Sequence, residues 1–160
     1  IAYHGGVELA IVYRHTNNPI VDKTIADIRR HHASELINKS SRGGVKILSA
    51  LKRGASVAML VDQKTNNGIS VPFFGREAMT SPAIAEIALK YDIPIIPARV
   101  VRKNGARFEA IIYPPLAYEK TGDHKQDVMS VMNAIHATLE SWIREHPEQW
   151  FWVHRRWGKV

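Results

Sequence analysis

The sequence predicts an α/β fold: a mostly parallel sheet flanked by helices, with one antiparallel hairpin. Three observations predict it. Short runs of branched apolar residues, "ELAIVY" and "SVAMLVD", alternate with stretches of helical periodicity. The second run is apolar almost to its end, the pattern of a strand covered on both faces. Asn104-Gly105 stands between two further strand-like runs and signals a tight type I′ hairpin.

The elements follow in order. Residues 8–13 read as a short strand, and "RHTNNP" as the polar loop after it. Residues 22–34 read as a helix with Ile25 and Ile28 inward and "RRHH" outward. Gly43-Gly44 breaks the chain, and "VKILSALKR" is a helix that stops before Gly54. Residues 56–62 form a strand ending in Asp62, and residues 63–80 a long loop. Ser81 caps the next helix, with Pro82 at its first position. "IPIIPARVV" and "RFEAIIYPP" are the two hairpin strands. Residues 127–145 form a long amphipathic helix with Val128, Val131, Ile135, Leu139 and Trp142 at helical spacing. In such sheets ligands sit at the carboxyl ends of strands, which points to "RHTNNP" and "DQKTNNGISVPFFG".

The 160 residues suit a single domain with a real core. The chain opens on apolar residues without a Met, and we expect it to be the C-terminal part of a longer protein. With no cysteine, disulfides, thiolate nucleophiles and cysteine-bound zinc are excluded. No apolar run approaches the roughly 20 residues that span a bilayer. The net charge of +7 and pI near 9.8 favour anionic partners: phosphate, nucleic acid or acidic lipid headgroups.

Several residues could carry chemistry. Arg14, at a strand end and followed by Asn17 and Asn18, could grip a phosphate or stabilise an oxyanion. Asp62 and Gln63 end the apolar strand and are expected at the same sheet edge. Asn66, Asn67 and Gly68 permit a tight reversal ahead of "VPFFG". There Phe73 and Phe74 are either a hydrophobic plug or an apolar wall beside a polar strand end, suited to an amphiphile. The terminal "WFWVHRRW" places aromatics beside His154, Arg155 and Arg156. That mixture suits a membrane interface, a stacking platform for nucleic acid, or a segment docked by its Trp residues. The histidines are scattered without metal-ligand spacing.

Four blocks, "YRHTNNP", "LKRGASVAMLVDQKTNNGISVPFFG", "TSPAIAEIALKYDIPIIPARV" and "PEQWFWVHRRW", resemble in order those of the bacterial lipid A biosynthesis acyltransferases. These are the lauroyl and myristoyl transferases of the lysophospholipid acyltransferase superfamily. The resemblance implies a glycerolipid acyltransferase type of fold and no cofactor. It also implies transfer of an acyl chain from acyl carrier protein to a hydroxyl of a lipid A precursor. The place would be an anionic membrane surface, the cytoplasmic face of the bacterial inner membrane.

In that family a His and an acid separated by four residues form the catalytic pair. His4 and Glu8, in the opening "YHGGVE", are separated by three and stand immediately before a strand. We therefore expect His4 to be a loop residue, and the true pair and a membrane helix to lie outside this chain. Arg14 and Asp62 become the supporting catalytic residues. Asn18, Gln63, Gly68, Phe73, Phe74, Gly75, Arg155 and Arg156 match the family's substrate-binding blocks, with Pro72 between them. A glycerophospholipid acyltransferase and a non-enzymatic RNA-binding module are the rival readings. The apolar "VPFFG" loop has no role in the latter, so no nucleic-acid partner is expected.

Overall fold

The computed structural model describes residues 6–31, 33–39, 43–152 and 155–158. His4 lies outside them. The chain divides into two compact units, Ile1–Leu60 and Val61–Val160.

The first unit is a parallel three-stranded sheet with two helices. Its strands are β1 (Leu9–Tyr13), β2 (Glu35–Asn38) and β3 (Ser56–Ala58), in the order β2-β1-β3. Helix α1 (Pro19–Arg30) links β1 to β2, and α2 (Gly43–Lys52) links β2 to β3. Register pairs Val12 with Ile37 and Ala10 with Val57. Ala10 and Ile37 are buried at the centre of the sheet. The start of α1 is written locally: Asn18 caps it through its side chain, and Pro19 takes the first position, where a missing N–H costs nothing. The helix therefore begins earlier than its apolar spacing suggested. Strand β2 was not expected at all.

The second unit holds two antiparallel hairpins and two α-helices. The hairpin β4 (Ile69–Phe73) and β5 (Arg76–Thr80) fills the stretch expected to be a loop. Its two turn residues, Phe74 and Gly75, have φ of 52° and 71°, the type I′ conformation whose twist suits a tight hairpin. Glycine serves that conformation at no steric cost, whereas Phe74 is held in it by its surroundings. Helix α3 (Ala83–Tyr91) follows, without a side-chain cap from Ser81. The second hairpin pairs β6 (Ala98–Arg102) with β7 (Phe108–Ile112). Its connection is longer than the two-residue turn read from Asn104-Gly105: the Arg107 N–H donates to Asn104 O at 3.1 Å, and the Lys103 N–H to Arg107 O at 2.9 Å.

Helix α4 (His124–Glu145) supplies the core of this unit. Its stripe Val128, Val131, Met132 and Ile135 packs on Val71 of β4 and Ala85 of α3. The i, i+3, i+4, i+7 spacing puts these side chains on one face. A second cluster joins Phe73, Ala78 and Ile143 with Trp150 and Trp157. The architecture is mixed α/β as expected, but among the described residues the parallel sheet has only three strands, and the other four strands form two separate antiparallel hairpins rather than one.

Candidate functional site

The β4–β5 hairpin organises the second unit's polar interior. Alternation along β4 turns Val71 and Phe73 inward, and along β5 Ala78 and Thr80. Phe73 is fully buried, with its ring centroid 4.9 Å from His136, 5.7 Å from Trp150 and 5.8 Å from Trp157. It is core, not the wall of an open cleft. Phe74 is half-buried. Its N–H donates to Glu140 Oε1 at 2.7 Å, and the Arg144 guanidinium lies 4.8 Å from its ring centroid. Gly75 and Gln63 are exposed. Gly68 stands where a Cβ would meet Thr80 O at 2.2 Å, so close backbone approach fixes its identity.

Asp62 was expected at the end of a long strand. Strand β3 instead stops at Ala58, and Asp62 lies beyond it, half-buried, accepting a hydrogen bond from Trp150 Nε1 at 3.2 Å. One side of the carboxylate is thereby tied to the aromatic cluster.

Arg155 and Arg156 were read together as an anion-facing pair, and the structure separates them. Arg155 is exposed, while Arg156 is 1% exposed. Its Nη1 donates to Met79 O at 2.9 Å. Its Nη2 donates to Thr80 Oγ1 at 2.5 Å and lies 3.2 Å from His136 Nε2. The guanidinium also faces the Phe73 ring at 5.2 Å. These partners and the ring hold Nη1 and Nη2 inside, while the buried Nε has no hydrogen-bond partner among the described residues. Burial lowers its pKa, and the Asp62 charge opposes that shift.

His136 completes the arrangement. Its Nδ1 is 2.7 Å from Pro72 O, which can only accept, so the proton sits on Nδ1 and Nε2 receives Arg156. Burial first, and then the Arg156 charge, lower its pKa below the ordinary 6.5. The imidazole is therefore neutral. It links α4, the hairpin and the terminal segment, and it is not placed to take a substrate proton.

In the first unit, Arg14 and Asn18 occupy the loop after β1. Arg14 is exposed. Asn18 spends its side chain on the helix: Oδ1 accepts from Ile20 N at 3.0 Å and Val21 N at 3.3 Å. Asp22, in the first turn of α1, folds the loop back. Its carboxylate accepts the Thr16 N–H at 2.8 Å and lies 2.6 Å from His15 Nδ1. The His15 side chain is 52% exposed, with Nδ1 turned to Asp22. Sequence reading passed over this pair, although an acid a helical turn after an Asn-Pro cap is a legible loop anchor.

The Thr16 N–H, followed by His15, lowers the Asp22 pKa below 3.8. The folded state thus binds fewer protons than the unfolded chain as acid is added. This contribution is complete above the ordinary Asp range and is lost as pH falls through the folded pKa. Asp22→Asn should lower the thermal midpoint at neutral pH and flatten its acid dependence, read by melts across the acid range.

Among the described residues, no group of three His, Asp or Glu side chains could hold a metal ion. A model of the bacterial lipid A biosynthesis acyltransferases matches residues 1–159. The chain belongs to that family. It is 28% identical over 153 residues to a lipid A biosynthesis lauroyltransferase of Escherichia coli (strain K12), covering 91% of this chain and 47% of the relative. It is 26% identical over 155 residues to lipid A biosynthesis acyltransferase 2 of Shigella flexneri, covering 92% and 47%. The chain spans about half the length of these curated relatives. Among the described residues no helix is long and apolar enough to cross a membrane.

Proposed function

We propose that this chain forms the substrate-holding part of a lipid A biosynthesis acyltransferase. The parent enzyme moves a fatty acyl chain from acyl carrier protein to a hydroxyl of a lipid A precursor, at an anionic membrane surface on the cytoplasmic face of the bacterial inner membrane. The observation that carries this reading is the family match from residue 1 to residue 159, which takes in all four motif blocks. No cofactor is needed. The hydroxyl oxygen attacks the thioester carbonyl, the C–S bond breaks, and the thiol leaves with the proton.

Arg14 is exposed after β1, free to meet a phosphate or a developing oxyanion. Asp62, anchored on one side by Trp150, orients a polar group rather than acting as base. Phe74 offers apolar surface beside the hairpin turn. The family match favours an amphiphilic acceptor over RNA.

The general base is a separate matter. No histidine of the sequence is followed, after four intervening residues, by Asp or Glu. We therefore expect the purified chain to transfer no acyl group from acyl carrier protein to a lipid A precursor, measured by mass of the acceptor. Transfer that disappears in His4→Ala would make the opening histidine the base. Transfer that disappears in His15→Ala would give that role to the His15–Asp22 pair. Either result overturns the assignment of the base to a segment outside this chain.

A further inference from the structure

The register of β6 and β7 pairs Ala98 with Ile112, Val100 with Ala110 and Arg102 with Phe108. Strand alternation puts all six on one face of the hairpin. The other face is packed: Val101 is buried, and Arg99 is held at 2.7 Å by Glu145. On the first face Val100, Phe108 and Ile112 are 64%, 56% and 68% exposed.

The chain just before the terminal segment touches the hairpin at Arg102. Gln149 brackets Arg102 as a strand neighbour would, accepting its N–H at 2.8 Å and donating to its C=O at 3.1 Å. Phe151 and Trp152 follow shortly after and are 69% and 53% exposed. The Trp152 ring is braced against Trp150 at 4.5 Å, and its Nε1 donates to Pro147 O at 2.6 Å. Its exposure is therefore built into the packing and is not that of a loose chain end.

Val100, Phe108 and Ile112 in water are unfavourable, and an exposed apolar face of this kind with a polar rim marks a binding surface. Phe151 and Trp152 add exposed apolar side chains two and three residues beyond the Gln149 contact. The rim here is cationic. The hairpin from 98 to 112 carries Arg99, Arg102, Lys103 and Arg107 against Glu109 alone. Lys103 is spent on Glu109 at 2.6 Å, and Arg102 lies over the Phe108 ring at 4.9 Å. Arg107 and Arg155 are exposed. Aromatic and branched side chains ringed by arginine suit the headgroup layer, where stems and rings bury while the cations meet lipid phosphates. A second copy of the chain would bring the same cations against each other, which disfavours a self-complementary contact.

We propose that the outer face of the β6–β7 hairpin, with Phe151 and Trp152, is the surface by which this chain lies on an anionic bilayer. This rests on the acyltransferase reading above for its membrane setting. It replaces the terminal arginine pair, since Arg156 is inside the fold.

Sedimentation with vesicles tests it, using phosphatidylglycerol mixed with phosphatidylcholine against phosphatidylcholine alone. The chain should bind the anionic vesicles at moderate salt. Arg102→Gln with Arg107→Gln should weaken binding by about tenfold or more, the worth of two cations at a charged membrane. Val100→Ser with Phe108→Ser and Ile112→Ser should weaken it with no loss of helix signal. If that triple variant does not fold, the arginine pair and Trp152→Phe keep the test open. Brominated lipid should quench part of the wild-type tryptophan emission and quench Trp152→Phe less.

No binding to anionic vesicles, in a chain that still binds a lipid A precursor in detergent, would overturn the surface and leave the acyltransferase reading standing. A concentration-dependent dimer that dissociates in the triple serine variant would assign the face to a second copy and likewise overturn the proposal. So would equal binding to both vesicle types.

Discussion

Replacing Arg156 with alanine is expected to destabilise the second unit by about 3 kcal/mol or more. The change leaves Met79 O, Thr80 Oγ1 and His136 Nε2 without their shared donor, and it opens a cavity against the Phe73 ring. Each unsatisfied buried group costs roughly 1–3 kcal/mol, so the loss exceeds that of an ordinary surface arginine. Arg156→Lys should recover only part, because one ammonium cannot serve the partners of a planar fork. Arg155→Ala should shift the urea midpoint hardly at all, which separates the two neighbours in one experiment. His136 gives a second readout. Its folded pKa lies below 6.5, so the unfolded chain takes up a proton first on acidification. Stability should therefore fall as pH drops below about 6.5, the ordinary His value. Removing the Arg156 charge should make that fall shallower.

Phe73→Ala should cost about 3–5 kcal/mol, the usual loss for a buried phenylalanine. The ring is wholly buried and touches Phe74, His136, Trp150 and Trp157. Near-ultraviolet dichroism should report the loss of fixed indole environments, and the urea midpoint should report the energy. Phe73→Leu should be milder, keeping most of the apolar volume. Phe74→Ala should cost less than Phe73→Ala, since Phe74 is only half-buried and its backbone contact to Glu140 does not depend on the ring.

Long periodic elements were legible from sequence because a single face decides them. The stripe of α4 was read from Val128, Val131, Ile135, Leu139 and Trp142; the first three are buried and the last two half-buried. The β4–β5 hairpin was not legible for three local reasons. Pro72 sits mid-strand, adjacent Phe residues break the alternation, and the turn places a phenylalanine where Asn or Gly is usual. What stabilises that turn is distant in sequence: Glu140 and Arg144 on α4. Strand β2 is four residues long, and its pairing with β1 supplies what its own pattern lacks.

The site residues divide in the same way. The resemblance drew attention to "HRRW", but it could not say which arginine turns inward. That depends on Thr80 and His136, which lie 76 and 20 positions away. Asp62 was expected at a strand end, and β3 stops short of it at Ala58. Its partner Trp150 is 88 positions distant. His15 and Asp22 were close enough in sequence to be paired by eye. Their carboxylate contact follows from the Asn18-Pro19 cap, which sets where α1 begins.

Equilibrium binding of the purified chain to a lipid A precursor in detergent tests the central claim most directly, with a lysophosphatidic acid and a single-stranded RNA as competitors. The acyltransferase reading predicts saturable binding of the lipid A precursor that Arg14→Ala weakens by about tenfold, the worth of one charge-assisted phosphate contact, and that neither competitor displaces at equal concentration. Tighter binding of the lysophosphatidic acid or the RNA, or lipid A precursor binding that is indifferent to Arg14, would contradict it.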